Sequence, residues 1–422
     1  MMERGVRINI EEKERLYHFF SALMKDIENK VNEVLGFEFN QNSTPQKKKV
    51  FSDLLGMTLK KSKKSGNETC DAASMLKYIV EYPEYVPFLT LLLEYASLKV
   101  FTRNFLAMQL DDDGRARTQY RIAGTKTGRL ASTKNVRGKG GNFQNIPEKG
   151  KFDLRYAVEV LDDDVEEEFD DIIIEGNLSL PNIKRMIIPD PGKEIMDADL
   201  SGADIQIVAW DSECKWLMDY FANPRGNGKV YHYIASNFFQ REITDKEYKT
   251  YKGIFHGTNY GMGVPKLAAT ARIPEHVAKD LQDYYFHLNP EVRKWQERIQ
   301  IDIKRKGYIE NIFGRRAWFL NKNDVTLLNK AYAFIPQSSI GDVMNRAFVT
   351  IKETLPEVEI LLQVHDSGVF QYDIEIALAT RDKIKKAMEV EIPYTPTLII
   401  PSDFKVSTVS YGDTEKVKKL AA

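Results

Sequence analysis

Two apolar segments, far apart in the chain, follow the two-residue alternation of β-strands, and each brings an aspartate to a strand end. The first, IKRMIIPDPGKEIMDADLS, predicts two strands around a Pro-Asp-Pro-Gly turn, with Asp199 at the end of the second strand. The second, EVEILLQVHDSGVFQYD, predicts a hairpin with Asp366 at its tip. The two carboxylates meet only if these strands lie in one sheet, and this requirement constrains the fold more than any other feature.

Such an aspartate pair is a candidate metal site. Two carboxylates held close together repel each other unless a divalent cation lies between them. Hard oxygen ligands favour Mg²⁺, which also binds substrate phosphates, and this layout is the one used in two-metal phosphoryl transfer. Two unrelated turn or cap aspartates remain the simpler alternative when each is considered alone.

A second chemical pattern lies in the segment YKTYKGIFHGTNYGMG. Lys252, His256 and Tyr260 recur at every fourth position, so they share one face of a predicted helix. A lysine at one level and a tyrosine two turns on suit a helix that grips a triphosphate and stacks on a base. Core packing would account for the histidine and the tyrosine, but it explains the lysine poorly.

Composition excludes several classes of protein. The 422 residues are 43% hydrophobic and 29% charged, which indicates a soluble globular chain. Two cysteines exclude a disulfide scaffold or a Cys-rich zinc module and favour a reducing compartment. No stretch approaches the roughly 18 apolar residues that cross a bilayer, so we expect no membrane partner. The net charge of −1 conceals an acidic insertion near residues 158–177, without which the balance is basic.

Helical spacing of apolar residues predicts one long helix over residues 11–36 and another over 84–110, and helices dominate from about 203 to 306. Between these regions lies a basic, Gly-rich segment without helical periodicity, DDDGRARTQYRIAGTKTGRLASTKNVRGKGGNFQNIP. Such a loop is typical of a contact surface. A lysine-rich loop at residues 60–64 suits phosphate contact, although lysine runs are often only a solvated face.

Together these segments resemble the polymerase domain of DNA polymerase I-like enzymes, family A, which occur in bacteria, mitochondria and phages. TGRLASTKNVRGKGGNFQNIP is similar to the family's TGRLSS…NLQNIP segment, DADLSGADIQIVAW to its motif A, the lysine helix to motif B, and VHDS to motif C. The segments NGKVYHYIAS, GYIENIFGRR and QSS also match. Seven matches in the family order cover nearly the whole chain.

The resemblance implies site residues. Asp199 and Asp366 would be catalytic and, with the Leu200 backbone carbonyl, would bind two Mg²⁺ ions, for which Mn²⁺ can substitute. The dNTP-binding residues would be Lys252, Tyr260, His256, His232, Asp204 and Lys249. Primer-template DNA would be contacted by Arg129, Gln144, Asn145, Gln337, His365, Lys60, Lys61, Lys63 and Lys64.

The fold implied by the resemblance is α+β: a right-hand polymerase fold with an antiparallel palm sheet, helical fingers and a helical thumb. The expected domains are the thumb with its preceding helix (1–120), the first part of the palm with the acidic insertion (121–202), the fingers (203–306) and the second part of the palm with motif C (307–422).

The activity implied is template-directed addition of dNMP from dNTPs to a primer 3′-OH. The match leaves no residues for a 3′-5′ exonuclease, so we expect that the native enzyme lacks one, that a separate chain supplies it, or that the chain is a truncated form. A separate exonuclease, a clamp or a helicase is therefore a candidate partner. We expect a cytoplasmic monomer, and departures from the bacterial pattern favour a phage source and thus the host cytoplasm. A single-subunit RNA polymerase and a non-catalytic primer-template or replisome scaffold remain the alternatives.

Five positions depart from the family pattern: Tyr248, His256, Asp204, Gln206 and Ser367. Tyr248 stands where an arginine is usual one turn before the motif B lysine, with a lysine beside it as a substitute phosphate contact. Asp204 replaces a glutamate and is one methylene shorter, so the barrier against a ribose 2′-OH is expected to be looser.

Overall fold

A computed structural model describes residues 1–61, 66–122, 124–146, 180–271, 273–321, 327–364 and 366–417. Three predicted DNA contacts and the acidic insertion lie outside these residues: Lys63, Lys64, His365 and 158–177. The helices of the described part are α1 (Ile10–Leu35), α2 (Thr44–Lys49), α3 (Ala72–Glu81), α4 (Val86–Phe101), α5 (Ala203–Asp211), α6 (Lys215–Ala222), α7 (Val230–Phe239), α8 (Asp245–Asn259), α9 (Val264–Ala271), α10 (Glu275–Leu288), α11 (Pro290–Lys306), α12 (Leu328–Thr354) and α13 (Ala377–Met388). None of them is long and apolar enough to cross a membrane.

The strands are short apart from those of one central sheet. In chain order they are β1 (Val6–Ile8), β2 (Lys60–Lys61), β3 (Glu68–Thr69), β4 (Arg115–Ala116), β5 (Thr118–Arg121), β6 (Ala131–Lys134), β7 (Ile187–Ile188), β8 (Lys193–Leu200), β9 (Tyr308–Glu310), β10 (Arg316–Trp318), β11 (Glu359–Val364), β12 (Ser367–Asp373), β13 (Glu391–Ile392), β14 (Leu398–Ile399), β15 (Ser402–Ser407) and β16 (Glu415–Lys416).

The central sheet has five antiparallel strands in the order β11-β12-β8-β15-β16. Strand β8 is the middle strand of this sheet. Its successive side chains point alternately to the two faces of the sheet. Met196, Ala198 and Leu200 belong to one buried core, whereas Ile195 points to the other face and belongs to the second. The predicted meeting of the two aspartate-bearing segments in one sheet is therefore confirmed.

Each face of the sheet is covered by helices. The first core is built with the helices between residues 203 and 354 and holds large side chains such as Trp295 and Tyr285. The second core is built with α1, α3 and α4, where the rings of Phe20 and Phe101 stack at 5.0 Å. This mixed architecture matches the predicted α+β class.

Helix α1 runs over Ile10–Leu35, nearly as predicted, because the sequence supplies both of its caps. The Asn9 side chain accepts a hydrogen bond from the Glu12 N–H, and Gly36 takes a left-handed φ of 75°. The helix predicted over residues 84–110 was wrong at its C-terminal end. The α-helix ends at Phe101 and continues as a π-helical turn only to Leu106.

Strand β1 ties the N-terminus to the sequence just before the central sheet. It pairs with β4 on one side and with β7 on the other, with Arg7 opposite Ile188. The first residues of the chain therefore pack beside a predicted palm segment, although they fall within the predicted thumb. The domain boundaries stay a prediction.

Candidate active site

The two predicted metal ligands lie at neighbouring strand ends. Asp199 is the penultimate residue of β8 and pairs with Ser367, the first residue of β12. The backbone N–H of Leu200 donates to the carbonyl oxygen of Asp366, 3.3 Å away. The Asp199 side chain is exposed and that of Asp366 is half-buried, so both are within reach of solvent at this edge.

A third carboxylate shares this edge and was missed from the sequence. Asp403 in β15 pairs directly with Asp199 across the sheet, so the two side chains point to the same face. Its charge is balanced by Lys416, whose ammonium lies 2.9 Å away. The signal was present in the closing segment SDFKVS, but only the strand register reveals which residue of that segment faces Asp199.

The donor chemistry of this edge fits a hard divalent cation. Asp199 and Asp366 supply carboxylate oxygens, and the chain leaves the sheet at Leu200, whose carbonyl is the predicted third oxygen. Among the described residues, no group of three or more His, Cys, Asp or Glu side chains is arranged as a complete metal site. Mg²⁺ commonly takes only one or two carboxylates and completes its shell with water and substrate phosphates.

Helix α8 carries the predicted triphosphate-binding face. The N-terminus of the helix is capped by Thr244 and Glu247. The side chain of each residue accepts a hydrogen bond from the backbone N–H of the other, which forms a capping box. Lys249 and Lys252 are both exposed along the helix, one turn apart. The cations therefore stand in solvent-accessible positions, as the prediction of a phosphate contact requires.

The end of α8 meets the first turn of α5. The Tyr260 hydroxyl donates to the Asp204 carboxylate over 2.8 Å, and the His256 ring lies edge-on to the Tyr260 ring at 4.5 Å. Burial and the Asp204 charge raise the pKa of Tyr260 well above its ordinary value, so the hydroxyl remains a donor. Three residues predicted for the nucleotide site are thus brought together, and the shorter Asp204 side chain still reaches the tyrosine.

His232 is placed differently from its neighbour Tyr231. The His232 ring is buried, with Nε2 3.1 Å from the carbonyl oxygen of Ile243 and Nδ1 3.4 Å from Ser236 Oγ. Both ring nitrogens are therefore engaged within the protein, which gives no support to the predicted triphosphate contact. Tyr231, which was not predicted, lies buried against α8 and accepts a hydrogen bond from the Asn259 amide.

Arg129 lies against α12, the helix that carries Gln337. The Arg129 side chain packs on Gly341, one turn beyond Gln337, where an added Cβ would stand only 3.3 Å from its Cγ. Gly128, at a φ of 78°, lies directly against the guanidinium of Arg315. Two predicted primer-template contacts are thus brought to one helix.

A polar pair fixes the hairpin of β9 and β10 on the same helix. Arg315 and Asp342 form a two-pronged ion pair, with Nη2 2.6 Å and Nε 3.2 Å from Asp342 Oδ1. The Asn311 amide donates to Asp342 and to Ser338 as well. The Arg315 guanidinium also contacts Gly128 in the basic loop. The ion pair therefore lies where the hairpin, α12 and the basic loop meet.

Gln144 and Asn145 lie in a 3₁₀ turn that follows the basic loop. The Gln144 N–H donates to the Asn142 side chain at 3.1 Å, which caps the turn. Strand β5 leads into this loop and is joined to the central sheet by Tyr120, whose hydroxyl accepts from the Gln363 N–H at 3.0 Å. Both predicted DNA contacts are half-buried near β11 and therefore near motif C.

Lys60 and Lys61 form β2 in the N-terminal helical part, and they are not brought to the aspartates by any described contact. Lys60 is ion-paired with Glu81, which partly neutralises it. Lys61 pairs with Glu68 only through the backbone register of β2 and β3. Their contact with DNA stays a prediction.

The central antiparallel sheet, the helices on both of its faces and the aspartates at its strand ends fit a right-hand polymerase fold. The sequence profile of DNA polymerase family A matches residues 10–411, and the chain belongs to this family. It is similar to DNA polymerase I of Helicobacter pylori strain 26695, with 26% identity over 404 residues covering 92% of this chain and 40% of the relative. It is also similar to thermostable DNA polymerase I of Thermus aquaticus, with 27% identity over 422 residues, 96% of this chain and 45% of the relative.

Comparison of structures agrees with the predicted fold. The POL domain of Pol1 from M. smegmatis, solved in complex with DNA primer-template and dNTP, superposes with a TM-score of 0.76 at 23% identity. The match covers 97% of this chain and 67% of that one. The right-hand α+β fold is thereby confirmed, while the chain spans less than half the length of the curated relatives named above.

Proposed function

We propose that this chain is a template-directed DNA polymerase that adds dNMP from dNTPs to a primer 3′-OH. The observation that carries the proposal is the joint position of Asp199 and Asp366 at adjoining strand ends. The family match and the exposed lysines of α8 support the same reading. Primer-template DNA and dNTPs are the partners that this reaction requires.

Asp199, Asp366 and the Leu200 carbonyl would hold two Mg²⁺ ions, or Mn²⁺ in their place. When bound, such ions lower the pKa of the primer 3′-OH and neutralise charge on the leaving pyrophosphate. Both carboxylates stand at a solvent-accessible edge of the sheet, where a cation could reach them. Substitution of either carboxylate would remove one of these metal ligands.

Lys252, supported by Lys249, would bind the triphosphate and orient the α-phosphorus for in-line attack. Tyr260 and His256 would pack against the incoming nucleotide. Asp204 would stand beside the sugar of the incoming nucleotide. Its carboxylate already accepts a hydrogen bond from the Tyr260 hydroxyl, so a ribose 2′-OH would have to compete with that hydroxyl for the carboxylate. His232 is retained as a predicted contact only by resemblance, since its ring nitrogens are engaged elsewhere.

The DNA contacts would fall into two groups. Arg129, Gln337 and His365 would hold the primer terminus by its minor groove and backbone, where the acceptors are largely independent of sequence. The lysines of residues 60–64, with Gln144 and Asn145, would contact the backbone and make binding sensitive to salt. Such contacts suit an enzyme that copies any template.

The domain assignment follows the same resemblance: a thumb in residues 1–120, a palm in 121–202 and 307–422, and fingers in 203–306. The relatives named above are bacterial, so a phage source stays a prediction. A monomer in the cytoplasm, and a separate exonuclease, clamp or helicase as partner, likewise stay predictions.

The experiment is single-nucleotide incorporation on four primer-templates that differ only in the first unpaired base. Each is incubated with each dNTP or rNTP alone, in Mg²⁺ or in EDTA, and each template is also incubated without a primer in the presence of all four rNTPs. The proposal predicts extension by the complementary dNTP and none in EDTA. Extension by rNTPs without a primer would indicate an RNA polymerase instead, and salt-sensitive DNA binding without extension would indicate a scaffold.

A further inference from the structure

The C-terminal end of α8 is capped by a side chain from another helix. The last carbonyl groups of a helix have no partner within the helix itself. Here the Gln296 amide, from α11, donates to the carbonyl oxygens of Thr258 and Asn259 at 2.8 and 2.9 Å. Gln296 is almost completely buried, so it holds these carbonyls in place of water.

The Asn259 side chain makes a second buried link at the same point. Its amide donates to the Tyr231 hydroxyl of α7 at 3.1 Å, and its carbonyl oxygen accepts from the Tyr285 hydroxyl of α10 at 2.7 Å. Asn259 is only 1% exposed. A buried polar network in which every member has a partner specifies one orientation, because any rotation would leave a desolvated group unpaired.

The residue that follows this network is the one that meets Asp204. Tyr260 is the C-cap of α8, and its hydroxyl lies 2.8 Å from the Asp204 carboxylate. Since Asn259 and Tyr260 are adjacent, the links to Gln296, Tyr231 and Tyr285 fix the backbone from which the Tyr260 ring projects. Small shifts there would lengthen a hydrogen bond whose energy depends steeply on geometry.

We propose that Asn259 and Gln296 are positioning residues for sugar selection: they hold the end of α8 so that the Tyr260 hydroxyl stays on Asp204, and the site thereby favours 2′-deoxynucleotides. Both act through Tyr260. This inference rests on the proposed polymerase function, because selection between sugars has meaning only for a nucleotide-binding site.

The test compares Gln296→Met and Asn259→Leu, which keep the approximate shape of the side chain and remove its polar atoms. Incorporation of dCTP and rCTP opposite a template guanine gives kcat and KM for each. We expect KM for dCTP to rise about tenfold and the rCTP/dCTP ratio of kcat/KM to rise about tenfold, each equivalent to about 1.4 kcal/mol. The kcat for dCTP should stay within about threefold, since neither residue touches the reacting atoms.

Tyr372→Phe is the matched control. It removes a buried hydroxyl that donates to Glu194 at 2.8 Å between two strands of the central sheet, a hydrogen bond that involves no residue of α8. Its expected effect is a lower Tm with an unchanged rCTP/dCTP ratio. If Tyr372→Phe moves the ratio as far as Gln296→Met does, loss of stability accounts for the effect and the inference falls.

Amide hydrogen exchange over residues 257–263 of the free protein supplies a readout that needs no activity. Gln296→Met should speed exchange there about tenfold, and Tyr372→Phe should leave it unchanged. Unchanged exchange and an unchanged ratio in Gln296→Met overturn the positioning role, and this variant decides the matter if Asn259→Leu does not fold. If the wild-type protein incorporates no nucleotide, the polymerase function is refuted and the sugar selection with it. Amide hydrogen exchange would then still test whether Gln296 holds the C-terminal end of α8.

Discussion

Removal of the Asp204 carboxylate is expected to weaken discrimination against ribonucleotides. The Tyr260 hydroxyl donates to this carboxylate at 2.8 Å, and hydrogen bonds to charged groups contribute about 1.5–3 kcal/mol. If a ribose 2′-OH must displace this bond, loss of the bond lowers discrimination by up to the same amount. At 25 °C that corresponds to a factor of about 10 to 150 in the ratio of kcat/KM for rCTP over dCTP.

The assay is a double-mutant cycle on single-nucleotide incorporation. Asp204→Ala and Tyr260→Phe each break the same hydrogen bond, so the double variant should be little worse than the more severe single variant. The control is Asp219→Ala, which removes an exposed carboxylate of α6 that is paired with Arg225, and it should leave the ratio unchanged. An unchanged rCTP/dCTP ratio in Asp204→Ala, or fully additive effects in the double variant, would refute the reasoning.

Three further outcomes are expected. Lys252→Ala should raise KM for dNTPs about tenfold or more, whereas Lys279→Ala, an exposed lysine paired with Asp283, should leave KM unchanged in the same assay. Gly128→Ala should lower Tm and weaken primer-template binding measured by anisotropy, since its left-handed φ and the guanidinium behind it leave no room for a methyl group. Burial raises the pKa of the Cys70 thiol to about 11 and that of the Cys214 thiol to about 12, so both should resist iodoacetamide at pH 8 until the protein unfolds.

The raised pKa values of the two thiols also predict that the free energy of unfolding decreases at alkaline pH. A thiol with a raised pKa in the folded state stabilises the protein fully below its unfolded pKa, near 8.5, and loses that contribution as pH rises. Chemical denaturation should therefore show stability that begins to fall near pH 8.5, below the ordinary pKa of tyrosine at about 10. Cys70→Ala combined with Cys214→Ala should flatten that part of the profile, and an equally steep fall in this variant would contradict the assignment to the thiols.

The parts of the fold and site that could be predicted from the sequence have local signals. Asp199 and Asp366 follow from alternating strands that each bring an aspartate to a strand end, and α1 follows from its apolar spacing, with Asn9 and Gly36 at its two ends. Lys252 and Tyr260 follow from a spacing of four on one helix, combined with the family motif. In each case the residues that determine the structure are near each other in sequence or match a motif.

What could not be predicted depends on partners distant in sequence. Asn259 and Gln296 look like ordinary polar residues in the sequence, and only the packing of four helices makes them partners. Asp403 is one of several polar residues in the closing strand until the register sets it opposite Asp199. The ring of His232 points into the protein because the carbonyl of a later loop accepts its hydrogen bond, and no local pattern encodes that contact.

The central claim is that carboxylates at adjoining strand ends support phosphoryl transfer, and single-turnover incorporation of one dNTP tests it most directly. Asp366→Asn is compared with Asp373→Asn, an exposed carboxylate that pairs with Lys193 at the far end of β12, the strand that begins directly after Asp366. Removing an interaction that stabilises transition-state charge by about 4 kcal/mol slows the chemical step about 10³-fold. The account predicts that loss in Asp366→Asn alone, with primer-template binding unchanged within a few-fold on the same samples. A wild-type rate in Asp366→Asn, or an equal loss in Asp373→Asn, would contradict it.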